Sequence, residues 1–382
     1  MQSRKCRFED RYWSFESHGY LSFKCSEPAV KDDLCVFHHP TYWKENEEFV
    51  RERFYEKVEK AKKQGKELIC RKYNLPSITV TGEFKNHVNF TRTSFHGKTS
   101  FSRTKFHKSA CFPHAEFSEE ADFSHASFSG IADFFHALFS KKARFNLAEF
   151  SEKAYFTRLR GGSGDRPTLF FVSSKFDQPE SVMIDQFNLA NTSFLYTDVS
   201  KVDIGERIFW GHDRRTFDER RADDGEHGVY YEVVATVCRR LRQNLESKMR
   251  YRESGRFFIG EMECKRKNVK IKSDVLGWIR TNVISALAWY KYMSNYGESI
   301  SRVVSWMLAV VIIPALLITL TQTPQLQQAE TSFIQNLQNS MFAFFQLKSD
   351  NSIDFVLRLI GLLMVTQLYI SLRRQFERRY RG

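Results

Sequence analysis

FSHASFSGIADFFHALFSKKARF, residues 123–145, places phenylalanine at 123, 128, 134, 139 and 145, in steps of five, six, five and six. The same beat runs outward through Phe84, Phe90, Phe95, Phe101, Phe106, Phe112 and Phe117 on one side, and Phe150 and Phe156 on the other. Alanine stands two positions before the ring in nine consecutive cases, from Ala110 to Ala154, and serine often follows it, as at Ser118, Ser124, Ser129, Ser140 and Ser151. At ~100° per residue an α-helix would throw these rings onto two roughly opposite faces, so no helical stripe results. In extended backbone, positions i and i−2 point to the same side. Alanine and phenylalanine then both face inward, the methyl near a corner and the ring at the centre, while serine suits the turn beyond.

Short strand, corner, short strand, repeated, is a solenoid. Two five-six pairs make a four-sided coil of 22 residues, which stacks Phe90, Phe112, Phe134 and Phe156 at a rise of ~4.8 Å. Phe101, Phe123 and Phe145 share the same predicted core. Disorder is the alternative for an aromatic-rich tract, but disorder does not hold a phase for this length. The A-x-F-S pattern resembles the pentapeptide repeats. That resemblance covers about residues 80–209 and implies a right-handed quadrilateral parallel β-helix. The alternating step departs from a pure five-residue repeat, so one corner per pair is expected to be wider. After Phe156 the beat breaks at LRGGSGDRPTLFF, read as a loop, and is expected to resume at Leu189, Phe194, Val199 and Ile204. Some proteins with such repeats imitate duplex DNA with an acidic surface. Here ten Lys or Arg stand against seven Asp or Glu between Phe84 and Phe156, so mimicry is not expected.

The tail changes the class of protein. VVSWMLAVVIIPALLITLTQ, residues 303–322, carries no charge and would reach ~30 Å as a helix, the thickness of a bilayer core. FVLRLIGLLMVTQLYISL, residues 355–372, holds one charge, Arg358, and reads as a second span or a buried core helix. Lys291 and Arg302 precede the first span and RRQFERRYRG follows the second, whereas Lys348 is the single basic residue between them. Both termini are therefore expected in the cytoplasm. This placement absorbs much of the net charge of +13 without nucleic acid.

Between the spans, TSFIQNLQNSMFAFFQLKSDN (331–351) reads either as a re-entrant helix or as an amphipathic surface helix. Span, short helix, span resembles the two-helix pore module of potassium-type channels, which implies a pore-like segment around Ser340, Phe344, Phe345, Gln346 and Lys348. FAFFQLKSD lacks the glycines of a potassium filter, and Lys348 opposes cations, so selective potassium conduction is not expected. Residues 229–266 read as two helices, with Glu261 and Glu263 on the solvated surface. With ALAWYKYMSNYGESISR, they resemble the linker of membrane pentapeptide-repeat proteins that carry this module.

At the front, Cys6, Cys25, Cys35, His38 and His39 cluster within 34 residues, and three thiolates with one imidazole suit tetrahedral zinc. Either Cys6, Cys25, Cys35 and His38 hold a structural zinc, with His39 as the alternative fourth ligand, or these are ordinary buried thiols and surface histidines. The seven cysteines lack a secretory context, so a disulfide framework is not expected. His87, His96, His107, His114, His125 and His136 are read as outward turn residues. No phosphate loop, nucleophile elbow or paired-carboxylate motif appears, and enzymatic activity is not expected.

The reading is thus multidomain: a Cys/His-rich module (1–45), a charged capping helix and linker (46–76), the β-helix (77–210), a helical linker (211–300), and a transmembrane hairpin with a re-entrant segment and basic tail (301–382). It implies a two-span membrane protein, a homo-oligomer with a cytoplasmic protein partner. Its function is either channel-like or that of a non-conducting scaffold.

Overall fold

The computed structural model describes residues 4–14, 19–161, 168–209, 215–268, 279, 285–322, 326–345 and 352–380. It divides into two units, Met1–Asn244 and Leu245–Gly382. The first is built on a parallel β-solenoid of about six turns whose two- to four-residue strands form four parallel ladders of five, seven, five and six strands. Each ladder joins every fourth strand, as in Ala110–Ala132 and Phe106–Phe128.

The rings stack along the axis. Phe90, Phe112, Phe134 and Phe156 follow one another at 5.3, 5.0 and 5.3 Å between centroids, near the strand spacing. Neighbouring columns meet edge to face, as Phe123 does with Phe134 at 5.2 Å, a geometry the ring quadrupole favours. Phe101, Phe123 and Phe145 form an adjacent column. The alanines two positions earlier are fully buried, and Val88, Leu169 and Val182 fill the same inward place in neighbouring coils.

The alternating beat reflects two kinds of corner. In the five-residue step the amide three positions after the ring donates back to the ring residue's carbonyl, as Ala115 N does to Phe112 O at 3.1 Å. The residue between is left-handed: Arg92, Arg103, His114, His125, His136, Leu147 and Arg158 all have φ near +56°. That is a type II turn. Two of the six-residue steps bend through Gly97 and Gly130, where an added Cβ would lie 2.7 and 2.8 Å from backbone atoms of the coil before.

The solenoid begins at Leu68–Ile69, where Cys70, Leu75 and Val80 occupy the places of the rings. It also resumes after the insertion sooner than the sequence suggested. Leu169–Phe170 pairs with Ala143–Arg144, Phe171 stacks on Phe145, and Phe176 continues the Phe150 column. Phe194, Val199 and Ile204 fill the last coil.

Both ends of the spiral present open backbone, and both are covered. Helix α1 (Glu47–Gln64) lays Val50, Phe54, Val58 and Ala61 on the first coil. Phe54 meets Phe90 at 6.3 Å, and Arg51 and Lys62 donate to the carbonyls of Ser77 and Thr81. At the far end, Asp218 on α2 (Phe217–Asp223) accepts from Phe194 N. From α3 (Tyr231–Ser247), Asn244 donates to the carbonyls of Val199 and Val202, at 2.8 and 2.7 Å. Strand edges that would otherwise template aggregation are closed this way.

The second unit holds α4 (Tyr251–Lys267), α5 (Ala286–Ser294), α6 (Ile300–Gln322), α7 (Leu326–Phe344) and α8 (Ser352–Tyr380). Two stretches, Ile300–Thr321 and Phe355–Glu377, are long and apolar enough to cross a membrane. Leu308, Leu317 and Leu363 are more than half exposed along them, as expected of faces whose solvent is lipid rather than water.

Candidate metal centre

A β-hairpin and a tight turn build the donor set. Strands β1 (Glu9–Ser14) and β2 (Gly19–Lys24) pair antiparallel and hold Cys6 and Cys25 side by side just outside the ladder. Cys6 N donates to Glu27 O and Cys25 N to Phe8 O. The turn after Cys35 returns His38 N to the Cys35 carbonyl at 3.1 Å, placing that thiol and its imidazole together. The ligand atoms of Cys6, Cys25, Cys35 and His38 all lie within 4.8 Å of one another, and all four residues are buried.

The spacing fits one ion. Tetrahedral zinc with its usual bond lengths separates two sulfurs by ~3.8 Å and a sulfur from a nitrogen by ~3.6 Å. Here Cys25 Sγ and Cys35 Sγ are 3.9 Å apart, and His38 Nδ1 lies 3.6 Å from Cys6 Sγ and 3.2 Å from Cys35 Sγ.

The surroundings favour thiolates. Cys35 N donates to Cys6 Sγ at 3.3 Å, and the backbone amide of Glu27 serves Cys25, as those of Phe37 and His38 serve Cys35. His38 Nε2 donates to Arg71 O at 3.0 Å, which leaves Nδ1 as the lone pair facing the sulfurs. The Lys57 ammonium donates to Glu27 and Tyr73 beside the cluster. The hydrogen bond from Cys35 holds Cys25 down to about 4, and the same contact pushes Cys35 up.

His39 is turned to another task. Its Nδ1 accepts from Thr41 N and Tyr42 N, and its Nε2 meets Asp32 at 3.1 Å. Of the two imidazoles the sequence left open, only His38 joins the cluster. All four potential ligands are buried protein side chains. Phe8 stacks on the His38 ring at 3.8 Å and Phe37 on Tyr73 at 4.5 Å, so the module rests directly on the first coil.

Of the pore-like residues, Ser340 and Phe344 are buried, Phe345 is exposed, and Gln346 and Lys348 lie outside the described residues. Phe344 packs with Val311 and Met364. Asn336 Nδ2 donates to Thr319 Oγ1 at 3.1 Å. Gly361 approaches so closely that an added Cβ would stand 2.3 Å from Phe344 O.

The repeat region matches the family described as Pentapeptide repeats (9 copies) over residues 90–138. No curated protein and no solved structure matches the chain. Repeats of this kind suggest a protein-interaction role, and two helices are long and apolar enough to cross a membrane.

Sequence reasoning missed one cluster. Glu263 is not solvated surface: it accepts from Tyr296 at 2.6 Å and pairs with Lys291 and Arg266 at 3.0 Å each. Burial raises its pKa, but those three hydrogen bonds outweigh it and hold the carboxyl below its usual range. Glu261 is buried too, paired with Lys265. Arg266 is three residues along on the same helix, but Lys291 comes from α5 and Tyr296 from the turn after it, 33 residues away, which helical spacing does not reveal.

Proposed function

We propose that the chain is a membrane-embedded, homo-oligomeric, channel-like protein, its solenoid a cytoplasmic surface for a protein partner. The observation that carries this is the course of α7. It runs antiparallel to α6, with Asn336 on Thr319 and Phe344 beside Val311. Val311 is the central residue of α6, so if α6 spans, α7 descends from the outer end to about the bilayer midplane over ~12 Å. Gln335, Gln338 and Asn339 are exposed on α7 along that descent. Polar side chains in hydrocarbon need polar partners, and further copies of the chain around a shared path supply them. The basic flanks support both termini being cytoplasmic, the four ladders support a quadrilateral coil, and the resemblance to pentapeptide repeats supports a right-handed one.

One zinc per chain at Cys6, Cys25, Cys35 and His38 completes the proposal. It would hold the N-terminal module closed over the first coil. No nucleic-acid or catalytic role is proposed.

The second reading is a non-conducting membrane scaffold, favoured by Lys348 and by the absence of glycine from FAFFQLKSD. Single-channel recording of purified protein in planar bilayers separates the two. Currents are expected, together with an oligomer in lipid. A monomer in lipid, or silence under every voltage and salt, leaves the scaffold.

A further inference from the structure

The tight corners of the solenoid carry an unusual set of side chains along one edge. Lys72, Arg92, His114, His136 and Arg158 occupy the same left-handed position in successive coils. Backbone bonds fix them in register: Lys72 N donates to Thr91 O, Arg92 N to Pro113 O, His114 N to Phe135 O and His136 N to Thr157 O, all between 2.8 and 3.0 Å. The five rungs make a single file of basic side chains ~19 Å long, four steps of strand spacing. The imidazoles of His114 and His136 stack at 4.9 Å and 12°, and Arg158 Nη1 lies 3.4 Å from His136 Nε2.

Nothing in the core requires basic residues here. A left-handed turn position favours glycine or asparagine, yet none of the five rungs is either. Two carboxylates that flank the file have partners of their own. Asp133 is buried with Oδ1 accepting from Phe135 N, and Glu116 reaches Ser94 on the neighbouring ladder. Pro113 and Phe135 stand beside the histidines and add an apolar strip.

The molecule itself shows what the first rungs take. Asp10, on the N-terminal hairpin, sets its carboxylate 2.6 Å from Arg71 Nη2 and 3.9 Å from Lys72 Nζ. Burial raises its pKa, but Arg71, Lys72 and Arg92 together hold the carboxyl below its usual range. A carboxylate thus already docks at the head of the file.

We infer that the remaining rungs, Arg92, His114, His136 and Arg158, form a docking strip for an extended acidic segment of a partner protein, continuing the path that Asp10 begins. The strip is one side chain wide, and its four rungs span ~14 Å, room for about four residues of extended chain. Duplex nucleic acid would need a broader face, and single strands would need a run of exposed rings, whereas Phe135 beside the file is half-buried.

The test is fluorescence anisotropy of full-length protein in detergent with a fluorescein-labelled ten-residue Glu-Asp peptide at pH 6.5. The peptide is expected to bind, more weakly as salt rises. Neutralising the strip with Arg92→Asn, His114→Asn, His136→Asn and Arg158→Asn together is expected to weaken binding by about tenfold or more. Asparagine tolerates this backbone region well, so the corners persist. Lys98→Asn with Lys153→Asn, on other corners, is expected to change affinity by less than about twofold. No saturable binding up to about 1 mM peptide, or equal binding by the strip variant, would overturn the inference. So would an oligothymidine ten-mer or phosphatidylglycerol vesicles binding through these rungs more tightly than the peptide.

Discussion

Phe134 sits at the middle of the stack, fully buried between Phe112 and Phe156, with Phe123 and Phe145 edge-on at 5.2 and 5.3 Å. Phe134→Ala removes the ring from all four. Large-to-small changes of this kind cost ~3–5 kcal/mol, the spread reflecting how far the site collapses. Collapse is barred here because strand spacing is pinned on both sides, Phe112 N to Asp133 O at 2.7 Å and Phe134 N to Tyr155 O at 2.9 Å. The expected loss is therefore ~5 kcal/mol. Native-state hydrogen exchange reads it directly: amides of Phe112, Phe134 and His136 should lose more than three decades of protection, at ~1.4 kcal/mol per decade. Phe84 stacks on one ring only, Phe106 at 5.6 Å, so Phe84→Ala should cost ~3 kcal/mol or less. An interior loss below ~2 kcal/mol, or equal losses at the two sites, would refute a core held by mutual ring contact.

Three further outcomes follow from named side chains. Burial raises Asp133 to about 6, so the folded chain keeps a proton that an unfolded aspartate releases near pH 4. Stability from this group is full below about pH 4 and falls by ~3 kcal/mol as pH rises through 6. Asp133→Asn should restore that amount at pH 8 and change little at pH 4, measured by urea unfolding. Asn89 makes the same bond to Thr91 N two coils earlier. Elemental analysis should find one zinc per chain, lost with Cys35→Ser, with exchange protection then falling at Asn74, whose amide donates to Phe37 O; retention of zinc by that variant would dissolve the four-ligand site. Gly361→Ala should push α8 off the Phe344 carbonyl and cost ~1–3 kcal/mol in detergent melts, against ~0.5 or less for exposed Leu363→Ala.

How much of this was legible depended on whether phase was visible. From Phe84 to Phe156 each side of each coil announces itself with a ring. The first coil is silent because Cys70, Leu75 and Val80 fill the ring positions and Tyr73 takes the place usually held by alanine. The insertion after Phe156 stretches one winding to 26 residues between Phe145 and Phe171, so the beat seemed to restart only at Leu189. Three cysteines and a histidine could be grouped by type, but choosing between adjacent imidazoles required the Arg71 carbonyl, which arrives from the solenoid. Glu263 was misread for the same reason: two of its partners, Lys291 and Tyr296, lie beyond the reach of local periodicity.

The paired corners have a consequence for how such a chain tolerates change. A whole 22-residue winding, for instance 112–133, could be duplicated or excised and every side chain downstream would keep its orientation. Loss of a single residue inside a side would instead rotate everything after it out of phase. Length in this rod is therefore quantised, free to grow or shrink in complete laps and rigid against anything smaller.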